Sequence, residues 1–157
     1  MTKVKINDYL SNPKLSACLP QSLFLELTIS ALNGNTHIGL QNSIIIDIES
    51  EYNKLELFES YLNTVSSLNN QGIEFEKEGN LIKAILKYEK CMQVMYDYSP
   101  KHIAWHSPDR LRILYRKTES PKELQFLEIF IGFCNNNSIE IPELYNKKLN
   151  QLKIKSL

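Results

Sequence analysis

The 157-residue sequence is poor in the features that announce chemistry. Its five glycines are scattered, so no phosphate-cradling loop can be assembled from them. Cys18, Cys91 and Cys134 are far apart, odd in number and free of any Cys-x-x-Cys pairing. That excludes a disulfide framework and a thiolate zinc knuckle, and leaves free thiols in a reducing cytoplasm as the expectation. No His-Glu-x-x-His spacing occurs. His102 and His106 are spaced to share a helical face, but Ser99-Pro100 and Pro108 interrupt the segment and no third ligand is evident. No apolar run approaches the ~20 residues of a membrane span, and MTKVKINDYL lacks the apolar stretch of a signal peptide. Eighteen basic and eighteen acidic side chains cancel, so no global charge draws the chain to nucleic acid or a membrane surface. The absences point to a cytoplasmic protein that is not an enzyme, with no catalytic residue, no cofactor and no metal to assign.

The chain is long enough for one domain with a real core. Its charge, although balanced, is unevenly placed. Residues 46–80 carry eight acids against Lys54 and Lys77, a net of −6, whereas residues 101–117 carry five bases against Asp109, a net of +4. All three arginines, Arg110, Arg112 and Arg116, lie within seven residues. Such a cluster is either a binding stripe or a solvated face with intramolecular ion pairs.

Apolar periodicity is helical almost throughout. Residues 6–10 read as a short helix or an extended arm, ended by Asn12-Pro13. Pro20 opens a helix through Leu23, Phe24, Leu27, Ile29 and Leu32, stopped at Asn33-Gly34 and expected to be well buried. Residues 35–39 read as a loop. Asn42 or Ser43 is placed to cap the next element. Ile44 to Ile48 carries the one real strand propensity and is left open between strand and helix. Leu55, Phe58, Leu62, Val65 and Leu68 then step by three and four, with a break expected near Ser66-Ser67, because a helix to Gly79 would be unusually long. A helix hairpin follows, turning at Glu78-Gly79-Asn80. Leu68, Gly72 and Phe75 lie on its first arm; Leu81, Ala84, Ile85, Tyr88 and Cys91 or Met92 lie on its second. Ser107-Pro108-Asp109 reads as cap, first-turn proline and first-turn acid of a helix to Lys117 whose apolar face is Leu111, Leu114 and Tyr115. Pro121 opens a helix with Leu124, Leu127, Phe130, Ile131 and Cys134 inward, and a last helix follows Ile141-Pro142 through Leu144, Tyr145, Leu149 and Leu152. The fold class expected is all-α, helices stacked on helices.

Two blocks superpose. Gly72, Phe75 and Ala84 of the first align with Arg112, Tyr115 and Leu124 of the second, at a period of 40 residues where this repeat class shows about 34. The first block, NQGIEF…EGNLIKAILKYEKC, resembles a tetratricopeptide repeat; DRLRILYRKTESPKELQFLEIF resembles a following repeat that lacks the small residues. The resemblance spans residues 66–134 and implies antiparallel helix pairs in a short right-handed array. Residues 1–65 and 138–157 then flank it within a single domain as capping helices. At its repeat position Cys91 is a small packing residue, not a nucleophile.

The resemblance further implies a protein-interaction module, in which the first helix of each pair lines a groove. Carried onto this chain, the groove positions are Ser66, Asn69, Asn70, Ile73, Glu76 and Lys77, then His106, Asp109, Arg110, Ile113, Arg116 and Lys117. Independently, His106, Arg110, Ile113 and Lys117 step by four, three and four and share one helix face. A cationic stripe with one isoleucine suits an acidic peptide or a carboxylate terminus. The competing reading has the acidic segment pairing with this stripe inside the molecule. The expected function is binding of a partner protein or acidic peptide, as adaptor, chaperone or inhibitor. One alternative is a nucleic-acid binder using residues 101–117, which zero net charge and sparse aromatics argue against. Another is a phage or mobile-element product that blocks a host complex. A homodimer through an apolar face of the 20–32 helix or of the last helix is open.

Overall fold

The structure, a computed structural model, describes residues 1–156. It is an all-α fold, with eight helices and one two-stranded ribbon among the described residues. In chain order these are β1 (Thr2–Lys5), α1 (Ile6–Leu10), α2 (Pro13–Ala17), α3 (Gln21–Leu32), β2 (His37–Leu40), α4 (Asn42–Lys77), α5 (Leu81–Tyr98), α6 (His106–Lys117), α7 (Lys122–Asn136) and α8 (Glu143–Lys155). No helix among the described residues is long and apolar enough to cross a membrane. The chain divides into two compact units, Met1–Ser60 and Tyr61–Leu157.

The N-terminal unit gathers Ile6, Leu19, Leu23, Leu27, Leu40 and Ile48 into a small core. Residues 6–10 are helical, and Pro13 opens a second short helix capped by Asn12, whose side chain accepts from the Lys14 and Leu15 amides at 3.0 and 3.3 Å. The loop expected over residues 35–39 is instead largely β2. It pairs antiparallel with β1, Val4 opposite Ile38. Its partner lies more than thirty residues away, so local pattern carries no trace of the pairing. The isoleucine run is helix, not strand. Ile44 and Ile45 pack on the core and Ile48 is buried, while Ile46 is 63% exposed. Strand alternation would have turned 44, 46 and 48 to one side. At the start of α4 the Asn42 Oδ1 accepts the Thr2 hydroxyl at 2.7 Å. The helix stop at Asn33-Gly34 holds, with Gly34 at φ +82°. Burial of α3 does not: Leu23 and Leu27 are covered, whereas Leu25, Ile29 and Leu32 stand in solvent.

The break expected at Ser66-Ser67 is absent, and α4 runs unbroken for 36 residues. Neither serine costs a helix much, and residues 42–77 contain no proline and no glycine other than Gly72. The buried stripe is also rotated from the expected one. Tyr61, Val65, Leu68 and Gly72 face inward, while Phe58 and Leu62 are 41% and 45% exposed. Both series step by three and four, and only contact with α5 decides between them. Tyr61 stacks on Tyr98 at 4.2 Å, the Cys91 thiol lies 3.9 Å from the Val65 carbonyl, and the Lys83 ammonium sits over the Phe75 ring. These pairs run in opposite senses along the two helices, which are therefore antiparallel. Tyr88 packs directly against Gly72: a methyl group added there would come within 2.5 Å of the ring. Gly79 turns the hairpin at φ +75°, and Asn80 caps α5.

In the C-terminal unit α6 lies beside α4 and α7 beside α5. Ser107 meets Asn69 and Arg110 meets Glu76; Lys122 meets Glu89, and Phe133 meets Tyr96 with ring centroids 5.0 Å apart. Each pair of contacts advances in the same sense, so first helix runs with first helix and second with second. Ser107 is not the cap expected of it: α6 begins at His106, and the Ser107 hydroxyl is fully buried against the Asn69 amide oxygen. In α7, Leu127, Phe130, Ile131 and Cys134 are buried as expected, Leu124 only half so; Phe126 and Glu123 complete the inner face. Tyr145 locks α8, fully buried, its hydroxyl donating to Asp109 at 2.6 Å and its ring against Phe130 and beneath the Arg112 guanidinium. Leu144 is 44% exposed rather than inward.

Candidate partner-binding face

The expected groove positions come together along α4 and α6, but the middle of the face is already occupied by its own side chains. Asn69 accepts the Ser107 hydroxyl, so its amide oxygen is not free for a peptide. Glu76 is the centre of a larger network. The Arg110 guanidinium grips its carboxylate with two bonds, Nε to Oε1 at 2.9 Å and Nη2 to Oε2. The Tyr88 hydroxyl donates to Oε1 at 2.7 Å, and His106 Nε2 lies 3.4 Å from that hydroxyl. The hydrogen bonds from Arg110 and Tyr88 hold the Glu76 carboxyl below the usual carboxylate range, against a smaller opposing push from burial. Burial raises the Tyr88 phenol, and the neighbouring Glu76 carboxylate raises it further. For Arg110 the intramolecular pairing is thus the one realised, and this arginine cannot also clasp a ligand carboxylate in the same geometry.

The remainder of the face is open. Ile113 is 37% exposed, and Arg116 and Lys117 are exposed with no ion-pair partner among the described residues. On α4, Asn70 and Ser66 are exposed and Ile73 half-buried; Lys77 is exposed but pairs with Glu74 at 2.7 Å. Asp109, the remaining expected groove residue, is turned to Tyr145. What is left is an apolar spot flanked by two unneutralised cations at the C-terminal end of α6. His102 stays in the loop before α6, apart from His106, and no group of three or more His, Cys, Asp or Glu is placed to hold a metal among the described residues. Burial pushes both the Cys91 and Cys134 thiols up, the latter to about 11, away from the thiolate form.

Sequence reasoning missed a second feature, a cleft of about 250 Å³ where α5, α6 and α7 meet. Met92, Tyr96, Leu111, Tyr115 and Phe126 line it, with Ile129 on its wall. Its one carboxylate, Glu89, is already satisfied by the Tyr115 hydroxyl at 2.6 Å and the Lys122 ammonium at 2.8 Å. The cleft therefore suits an apolar side chain rather than an ion. The available signal was Ile129, an apolar residue of the cleft wall that is off the core stripe and 51% exposed. No family model matches this chain, and neither does any curated protein or solved structure.

Proposed function

We propose that this protein is a non-enzymatic interaction module, built of tetratricopeptide-like helix pairs, that binds an acidic segment of a partner protein along the α4–α6 face. The observation that carries this reading is the unneutralised pair Arg116 and Lys117 beside exposed Ile113. Their neighbours on the same face are paired internally, whereas these two, in the last turn of α6, have no ion-pair partner among the described residues. The same-sense alignment of α4 with α6 and of α5 with α7 supports the repeat-like stacking, and the close seat of Tyr88 on Gly72 supports the first pair. An acidic peptide would set a carboxylate against Arg116 and Lys117 and an apolar side chain on Ile113.

The test is affinity capture from the protein's own cells, comparing wild type, Arg116→Glu/Lys117→Glu, and Ile82→Glu as a control on α5. Partners should be lost by the double variant and kept by the control. Equal recovery of the same partners by all three sinks the α6 assignment. Recovery that disappears with nuclease, or falls steeply between low and moderate salt, would instead assign the basic segment to nucleic acid.

A further inference from the structure

The cleft between α5, α6 and α7 has regular walls. Glu89, Met92 and Tyr96 step along one face of α5, Leu111 and Tyr115 along α6, and Lys122, Phe126 and Ile129 along α7. Tyr115 and Phe126 meet edge to face, ring centroids 5.7 Å apart at 67°, an arrangement that a further ring can extend. Met92 adds a polarizable sulfur to the lining. Both bonds to Glu89 fall on one oxygen. The Tyr115 hydroxyl and the Lys122 ammonium donate to Oε1, and Oε2 accepts no hydrogen bond among the described residues. The Glu89 side chain is one-quarter exposed.

Size and charge narrow the occupant. The cleft, at about 250 Å³, is larger than the ~150 Å³ that holds one benzene ring and smaller than the ~300 Å³ at which drug-sized sites begin. That is room for two fused rings. Lys122 cancels the charge of Glu89, so an entering ion would lose its hydration for no net attraction. What stays unmet is one acceptor oxygen, which a neutral N–H donor satisfies. Among protein side chains, tryptophan alone joins two fused rings to such a donor. We propose that the cleft seats a tryptophan side chain of a partner protein, its indole against Met92, Tyr115 and Phe126 and its N–H donated to Glu89 Oε2. Gln125, exposed on the rim, offers its amide to the main chain that carries the indole. This seat uses Leu111 and Tyr115 of α6 rather than Ile113, Arg116 and Lys117, so it stands whether or not the α4–α6 face binds an acidic segment.

The experiment is NMR titration of the full chain, labelled with ¹³C at its methionine methyls. The probes are N-acetyl-tryptophanamide, its 1-methylindole analogue and free indole. Met92 lines the cleft, so its methyl signal should move while that of Met1 stays. A single anchor of this size should bind with a Kd on the order of 1–10 mM. The 1-methyl analogue should bind about fivefold more weakly, the worth of one hydrogen bond. In Glu89→Met that difference should vanish. Ile129→Glu should weaken N-acetyl-tryptophanamide severalfold, with far-UV circular dichroism showing that helix content is kept in both variants. An unmoved Met92 signal at about 20 mM N-acetyl-tryptophanamide overturns the proposal, as does equal affinity for the 1-methyl analogue in wild type. Free indole binding at least tenfold more tightly than N-acetyl-tryptophanamide would give the cleft to a small aromatic molecule and overturn it equally.

Discussion

Replacing Gly72 with alanine is the sharpest test of how the central helix pair is held. The added methyl carbon would lie 2.5 Å from Tyr88 Cε1, 2.6 Å from Cζ and 3.0 Å from Cδ1. Carbon contacts are comfortable near 3.5–4.0 Å, so ring and methyl must part by about 1 Å. The ring has nowhere to go: Tyr88 is fully buried, and its hydroxyl is tied to Glu76 on the same helix that carries the new methyl. Overpacking of this kind costs about 1–3 kcal/mol. Loss of the Tyr88–Glu76 bond, if the ring shifts, adds about 1 kcal/mol, while the better helix propensity of alanine returns about 1 kcal/mol. The net loss is about 1–3 kcal/mol, a fall in urea midpoint of about 0.5–1.5 M at an m-value near 2 kcal/mol/M. Trp105, the one tryptophan, contacts Phe130 and Tyr145 and reports on this unit by fluorescence. Gly132→Ala is the control. It too sits inside a helix, but its methyl meets nothing within 4 Å, so it should stabilise by up to about 1 kcal/mol. In a Tyr88→Leu background the penalty at 72 should shrink by more than 1 kcal/mol. A Gly72→Ala protein that melts at or above wild type, as Gly132→Ala should, refutes the close-approach account.

Three further outcomes follow from the same contacts. Glu76→Gln should destabilise by about 1–2 kcal/mol at neutral pH, discounted because Arg110 is a third exposed. Because the Glu76 pKa is lowered on folding, the stability it contributes is full above the unfolded carboxylate range and is lost as pH falls through the folded value. Urea melts on descending through that range should therefore show wild type losing stability that Glu76→Gln has already lost; a constant gap between them at every pH contradicts the assignment. Tyr145→Phe removes the hydroxyl bond to Asp109 and should cost about 1–2 kcal/mol, with Trp105 emission in the native state altered little. An unchanged melt would mean that Asp109 is as well served by water.

Helix ends were legible where the punctuation has a local physical cause. Gly79 and Gly34 adopt the positive φ that glycine takes without strain, Asn80 caps α5, and Leu111, Leu114 and Tyr115 mark a single inward stripe. The candidate face was legible only as a set of positions. Spacing placed His106, Arg110, Ile113 and Lys117 on one side of a helix, but it said nothing of what stands opposite. The pairing of Arg110 with Glu76 joins residues 34 apart, and it removes the best carboxylate clasp from the surface.

The sequence by itself determined the helical class, the hairpin at Gly79 and the presence of small residues at 72 and 84 on its facing stripes, since each follows from local propensity, periodicity or the volume of one side chain. Tertiary structure decided the rest. It chose which three-four stripe of α4 turns inward, paired β1 with β2, made the isoleucine run helical and left α3 bare on one face. Those outcomes depend on contacts between segments distant in the chain, whose energies no local window contains.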